Sequence, residues 1–174
     1  MKHQARTAML VAAIAVGLGT APMARAQSAW TTYQNTDFHF TVDVPAEPTI
    51  SVGITESPAG PEPTFQGTIE LSPDSALQLT AVDLTRVTVA IDPNAVLEGG
   101  VKGGVGAANA TIDSETTISD GDAIGRDVVF HNGTVKYETR IFYLNRRVAA
   151  LTGLGNGKLP DAFGRAAAAF KILP

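Results

Sequence analysis

The chain has 174 residues, with 13 Lys and Arg against 17 Asp and Glu, three histidines, no cysteine and a mean hydropathy of +0.09. At 44% apolar and 17% charged it has the make-up of a folded domain rather than a disordered segment. The missing cysteines remove disulfides and thiolate metal ligands, and the acidic balance argues against nucleic acid or anionic lipid as the main partner.

The first 26 residues read as an export signal. Lys2, His3 and Arg6 make a basic start, residues 8–21 an apolar run, and Ala24-Arg25-Ala26 a small-x-small cleavage site, with the cut after Ala26. The apolar run is shorter than the ~18–20 residues that span hydrocarbon, which favours a removed signal over an anchor. No cysteine follows for lipid attachment and no Arg-Arg pair precedes, so the general export route into a bacterial periplasm or exterior is expected. Residues 27–174 then carry ten basic and seventeen acidic side chains, a formal −7, and have room for one domain with its own core.

Within that domain Phe38, Phe40, Val42 and Val44 alternate with polar residues and predict a strand ending at Pro45, with Trp30 and Tyr33 upstream available to cover one end of the core. Residues 45–63 hold five prolines and read as a loop, interrupted at most by a short strand over residues 50–54. Phe65, Gly67, Ile69 and Leu71, then Ser72-Pro73-Asp74, then Leu77, Leu79, Ala81 and Asp83 predict an antiparallel hairpin. Asp92-Pro93 is a helix start, and Leu97, Val101, Val105 and Ala108 recur on one helical face. Gly99, Gly100, Gly103, Gly104 and Gly106 oppose that helix at about 0.8–1 kcal/mol each, so a mobile Gly-rich loop is the alternative. If these glycines serve close packing, leucine at Gly103 or Gly104 should clash.

Residues 111–118, 123–130, 135–144 and 148–152 predict four consecutive strands joined by turns at Ser119-Asp120-Gly121, His131-Asn132-Gly133 and Asn145-Arg146-Arg147. Pro160, with Phe163, Ala166, Ala167 and Phe170 behind it, predicts a C-terminal amphipathic helix, and residues 171–173 a closing strand.

Catalytic and metal motifs are sparse. His39 lies at a polar strand position and His131 flanks a turn; no Gly-x-Ser-x-Gly or Ser-x-x-Lys occurs, so no catalytic, metal or cofactor-binding residue is assigned and no cofactor is expected. The glycines of residues 99–106 and 153–158 lack the register of dinucleotide or phosphate loops and read as structural. Asp113, Glu115, Asp120 and Asp122 crowd carboxylates into ten residues, but a hard cation needs 6–8 converging oxygens, and a solvated strand edge is the better reading. Arg140, Arg146 and Arg147 form the one local basic cluster, a candidate surface for an anionic ligand or partner, against the simpler reading of a solvated hairpin tip. Asn109-Ala110-Thr111 and Asn132-Gly133-Thr134 match a glycosylation acceptor pattern that an exported bacterial protein has no use for.

Several short stretches resemble the PsbP-like superfamily: Val42-Asp43-Val44-Pro45 closing an early strand, the helix begun by Asp92-Pro93, Gly125-Arg126-Asp127-Val128-Val129-Phe130, Asp161-Ala162-Phe163, and the ending Ala169-Phe170-Lys171-Ile172-Leu173, with Ala169 where the family commonly has Ser. The resemblance covers most of residues 30–173. It implies an α+β fold: an α/β/α sandwich with a central, mainly antiparallel sheet of about six to eight strands, one Gly-rich helix after the first strands and one C-terminal helix. Superfamily members are largely non-enzymatic binders, including a photosystem assembly protein, a nuclear Ran-binding protein and exported bacterial proteins of unknown role, and no functional residue carries over from them. The expected function is therefore an exported, non-catalytic binding or assembly module that meets a periplasmic protein through a sheet edge, a loop or the Gly-rich segment. A carrier of a small or lipid-like ligand in an apolar pocket is the alternative, and a hydrolase the third reading.

Overall fold

The computed structural model describes residues 29–57 and 60–174, Ser57 by its backbone only. The expected signal and the cleavage position after Ala26 lie outside the described residues. The chain runs β1 (Thr31–Asn35), β2 (Phe40–Val44), β3 (Thr49–Ser57), β4 (Gly60–Ser72), β5 (Ser75–Asp83), α1 (Pro93–Ala107), β6 (Thr111–Asp120), β7 (Ala123–Asn132), β8 (Val135–Leu144), β9 (Arg147–Asn156), α2 (Asp161–Ala169) and β10 (Lys171–Ile172). Seven strands form one antiparallel sheet in the order β3-β4-β5-β9-β8-β7-β6, and β1-β2-β10 form a second, smaller one. The expected α+β class holds; the second sheet is an addition to it. No helix among the described residues is long and apolar enough to cross a membrane.

Strand alternation sends one set of side chains to each face of the large sheet. Leu77, Leu79, Ala149, Leu151 and Phe142 meet α2 and the small sheet through Phe163, Ala166, Phe40, Val42 and Phe170. On the opposite face Val128, Phe130, Ile141, Val148 and Ala150 meet Leu97 and Val101 of α1. One helix thus lies on each side of the sheet.

The expectation for residues 45–63 is corrected from a loop to a hairpin: the short strand allowed over residues 50–54 is the middle of β3, which runs on into the start of β4. Alternating Ile50, Val52 and Ile54 supply the strand character, and the prolines that obscured it are accommodated by position. Pro61 and Pro63 share one parity and pair only with β3, because the β4–β5 register begins at Thr64 and Val82. Their missing N–H groups therefore fall on the side where no partner strand runs. His39 is not a strand residue: it takes φ 54° in the turn before β2, with Nδ1 2.9 Å from the Pro174 carbonyl oxygen. β1 is an unanticipated short, mostly exposed strand held against β2.

The Gly-rich segment is helical. Asp92 caps it by accepting from the Asn94 N–H at 2.9 Å, and Pro93 occupies the first turn. Among its glycines, Gly100 allows close approach, since an added Cβ would sit 2.8 Å from Ile141 Cδ1. At Gly104 the packing expectation fails, because a Cβ there would meet nothing within 4 Å.

Candidate functional site

The open space at Gly104 belongs to a cavity of about 210 Å³ between α1 and the sheet. Register explains its two walls. Facing residues from neighbouring strands stack in rows across the sheet, and the row Gln78, Thr152, Thr139, Val128 crosses the cavity floor. Toward β3 the wall is polar, with Thr55, Glu62, Thr64, Gln66, Gln78 and Thr80. Toward β7, β8 and α1 it is apolar, with Val101, Val105, Val128, Phe130, Tyr137 and Ile141. Phe130 and Tyr137 stiffen this second wall by stacking at 4.8 Å and 2° between ring planes. Thr139 and Thr152 hydroxyls hydrogen-bond to each other at 2.8 Å, so that part of the floor is satisfied without a ligand.

Glu62 is the outlier. It is 6% exposed, lines the cavity, and forms no hydrogen bond or ion pair within the described residues. It sits where β5 has already left the sheet for the segment that carries Leu84 and Val87, both buried on the α1 side, with Gly60 close to the Arg86 carbonyl oxygen. Its carboxylate oxygens are not sealed off, since among the described residues Arg147 Nε is the buried side-chain polar atom without a partner; the carboxylate is left to the open space of the cavity, where a ligand's hydrogen-bond donors can reach it. A lone acid between two prolines carries no sequence signal for such a role, and it was missed for that reason. The cavity itself had one weak signal, the pair Gly100 and Gly104 one helical turn apart on the face of Leu97 and Val101.

The basic residues singled out in the sequence are placed separately. Arg140 is on β8 beneath α2: Nε and Nη2 donate to Asp127 Oδ2 at 3.2 and 2.7 Å, and Nη1 donates to the Ala167 carbonyl at 2.7 Å. That last bond satisfies a carbonyl in the final turn of α2, where the helix leaves acceptors open. Arg146, in the β8–β9 turn with φ 62°, donates to the Val87 and Val89 carbonyls and pins the segment before α1. Arg147 Nε is buried without a hydrogen bond, 4.0 Å from Asp83 Oδ2. Beside Arg140, burial raises the Glu138 carboxyl above its ordinary pKa, and the neighbouring Asp127 charge pushes the same way.

The four clustered acids do not converge. Asp113 pairs with His131 Nδ1 at 2.8 Å, Glu115 faces Arg126 Nε at 3.3 Å, and Asp120 and Gly121-Asp122 form the β6–β7 turn. Among the described residues no group of three His, Asp or Glu side chains is placed to hold a metal ion. Neither described histidine is hydrogen-bonded to a serine hydroxyl. Gly153 and Gly155 serve packing, since a Cβ at Gly153 would sit 2.6 Å from Phe163 Cδ2 and one at Gly155 would run into the Lys158 carbonyl, while Gly157 serves the turn with φ 76°.

No protein-family model matches the chain. No curated protein matches it in sequence. Among solved structures, the solution structure of cyanobacterial PsbP (CyanoP) from Synechocystis sp. PCC 6803 superposes with a TM-score of 0.55 and 11% identity, covering 89% of this chain and 98% of that one. A protein of unknown function from Pseudomonas aeruginosa, PA94, superposes with a TM-score of 0.33 and 9% identity over 73% of this chain and 83% of that one. The likeness to cyanobacterial PsbP supports the PsbP-like fold expected from the sequence, and at this identity it carries no residue role across.

Proposed function

We propose that the chain is an exported, non-catalytic binding protein whose ligand enters the cavity beneath α1. The observation that supports this reading is Glu62, 6% exposed and without a hydrogen-bond partner among the described residues, on the polar wall of a cavity whose opposite wall is apolar. A protein partner, which the sequence alone puts first, is supported by the free strand β3. The cavity moves the carrier reading ahead of it.

Size and polarity define the ligand class. The space exceeds the ~150 Å³ that takes up a benzene-sized molecule and falls short of the ~300 Å³ of common drug-sized pockets. One ring with a short side chain fits. Its body packs against Val105, Phe130 and Ile141, and its head donates hydrogen bonds to Glu62, an ammonium being the strongest match to a buried carboxylate.

Native mass spectrometry of the protein purified gently from its own cell tests the reading first, with a bound small mass expected. Titration with phenethylamine and its neutral analogue 2-phenylethanol tests the chemistry. The amine should bind more tightly than the alcohol, Glu62→Gln should remove that preference, and Gly104→Leu, which fills the space, should abolish both. Equal binding to the Gly104→Leu variant would sink the proposal.

A further inference from the structure

The two edges of the large sheet are built differently. The β6 edge carries Asp113, Glu115 and Asp120, and its ladder is interrupted by a bulge between Ile112 and Ser114. Charges and bulges are the devices by which proteins keep an edge from pairing with another chain. The β3 edge has no bulge, and its one charge, Glu56, lies near its far end: residues 49–55 hold no charge and no proline, and the β3–β4 register is unbroken. Its apolar side chains stand in water, Ile50 49%, Val52 69% and Ile54 63% exposed.

The hydrogen-bonding groups of this edge can be assigned. The β3–β4 hairpin closes on the pair Ser57 and Gly60, across a two-residue loop, so that pair is a hydrogen-bonded one. Alternation then turns the odd-numbered residues of β3 toward β4. The N–H and C=O groups of Ile50, Val52 and Ile54 point outward, with no partner strand among the described residues, on the strand whose side chains are the exposed ones.

The segment is also its own complement. Thr49-Ile50-Ser51-Val52-Gly53-Ile54-Thr55 reads nearly the same in both directions about Val52, with Ser51 and Gly53, both small, as the single mismatch. In an antiparallel pair of two copies related by a two-fold axis at Val52, Thr49 meets Thr55, Ile50 meets Ile54 and Val52 meets itself. Every pair among Ile50, Val52 and Ile54 is then of the hydrogen-bonded kind, and their side chains merge into one six-residue apolar stripe on one face. No like charges meet along these seven residues.

We infer that β3 is a self-association edge, through which two copies of this chain join their seven-stranded sheets into one continuous sheet by an isologous β3–β3 pair. This contact is independent of the cavity, which lies across the sheet from the stripe.

Sedimentation of the protein, as its own cell processes it, should show the mass doubling as concentration rises, and Val52→Lys should return it to monomer. Register is tested separately, because a chain without cysteine reports one contact per introduced thiol. Val52 faces its own copy at about 5.5 Å between Cα atoms, within a disulfide's reach. Val52→Cys should therefore oxidise to a covalent dimer, while Ile50→Cys and Ile54→Cys should crosslink only when mixed. Thr117→Cys on β6 is the control. A wild-type protein that stays monomeric at every concentration, or Val52→Cys crosslinking no faster than Thr117→Cys, overturns the inference and leaves the edge to a different protein.

Discussion

The two faces of the large sheet solve the same problem with opposite materials. Under α2 and the small sheet the space is filled by aromatic rings: Phe40 packs edge-on to Phe65 at 5.4 Å, and Phe170 lies against both Phe40 and Phe142. Glycine on that side brings groups closer together, as at Gly153 beneath Phe163. Under α1 the helix meets β7 and β8 but presents Gly104 to the part of the sheet beyond them, and glycine there leaves room. Glycine thus tightens the filled face at Gly153, while under α1 it tightens at Gly100 and leaves room at Gly104. What decides is whether a large side chain stands opposite.

The sharpest way to break this comparison is to add side chains at the two glycines. Gly153→Val should force Phe163 off α2's packing position and cost about 3 kcal/mol, roughly 10 °C in Tm by thermal denaturation. Unchanged melting would mean the filled face is looser than its geometry. Next in size is Arg140→Ala, which removes three hydrogen bonds and leaves Asp127 without its cation; a loss of about 2 kcal/mol is expected in denaturant unfolding, with Arg140→Lys recovering part of it. Gly104→Ala should do the reverse of Gly153→Val. It gains about 1 kcal/mol of helix propensity with nothing to clash against, so Tm should rise by about 3 °C.

The smallest effect is electrostatic. Glu138 has a folded-state pKa above its unfolded value, so its ionisation opposes folding, and the penalty is fully present above the folded pKa and gone below the ordinary glutamate range. Glu138→Gln should therefore melt slightly higher than wild type at neutral pH, with the difference vanishing as pH falls through the glutamate range. A difference constant with pH would assign the effect to packing instead of charge.

Elements whose alternation or capping was strong in the sequence are where they were expected: the β4–β5 hairpin, the four-strand meander from β6 to β9, the capped α1 and the C-terminal α2. β3 was obscured because the usual penalty for proline in a strand applies only where an N–H is needed, and the parity of Pro61 and Pro63 shows only once a register exists. β1, with Thr31, Thr32 and Gln34 turned outward, has no apolar pattern of its own and is held by its partner. Site legibility was poorer still. Arg140, Arg146 and Arg147 are neighbours in the chain, yet Arg140 reaches α2 while Arg146 reaches the segment before α1, a division that depends on strand parity and turn geometry. Glu62 acquires its character from where β5 departs, which no local pattern encodes.

The pairing of β2 with β10 has a consequence for how the molecule is made. Thr41 meets Lys171 across 130 positions of chain; Phe170, just before it, completes the aromatic layer begun by Phe38 and Phe40, and Ile172 pairs with Phe40. Contacts so distant in sequence form late, because the loop between them must be closed before they are rewarded. The aromatic layer therefore stays unsealed until its final residues are free to dock. A chain that emerges gradually, from a ribosome or a translocation pore, keeps this side soft until residues 170–172 are through.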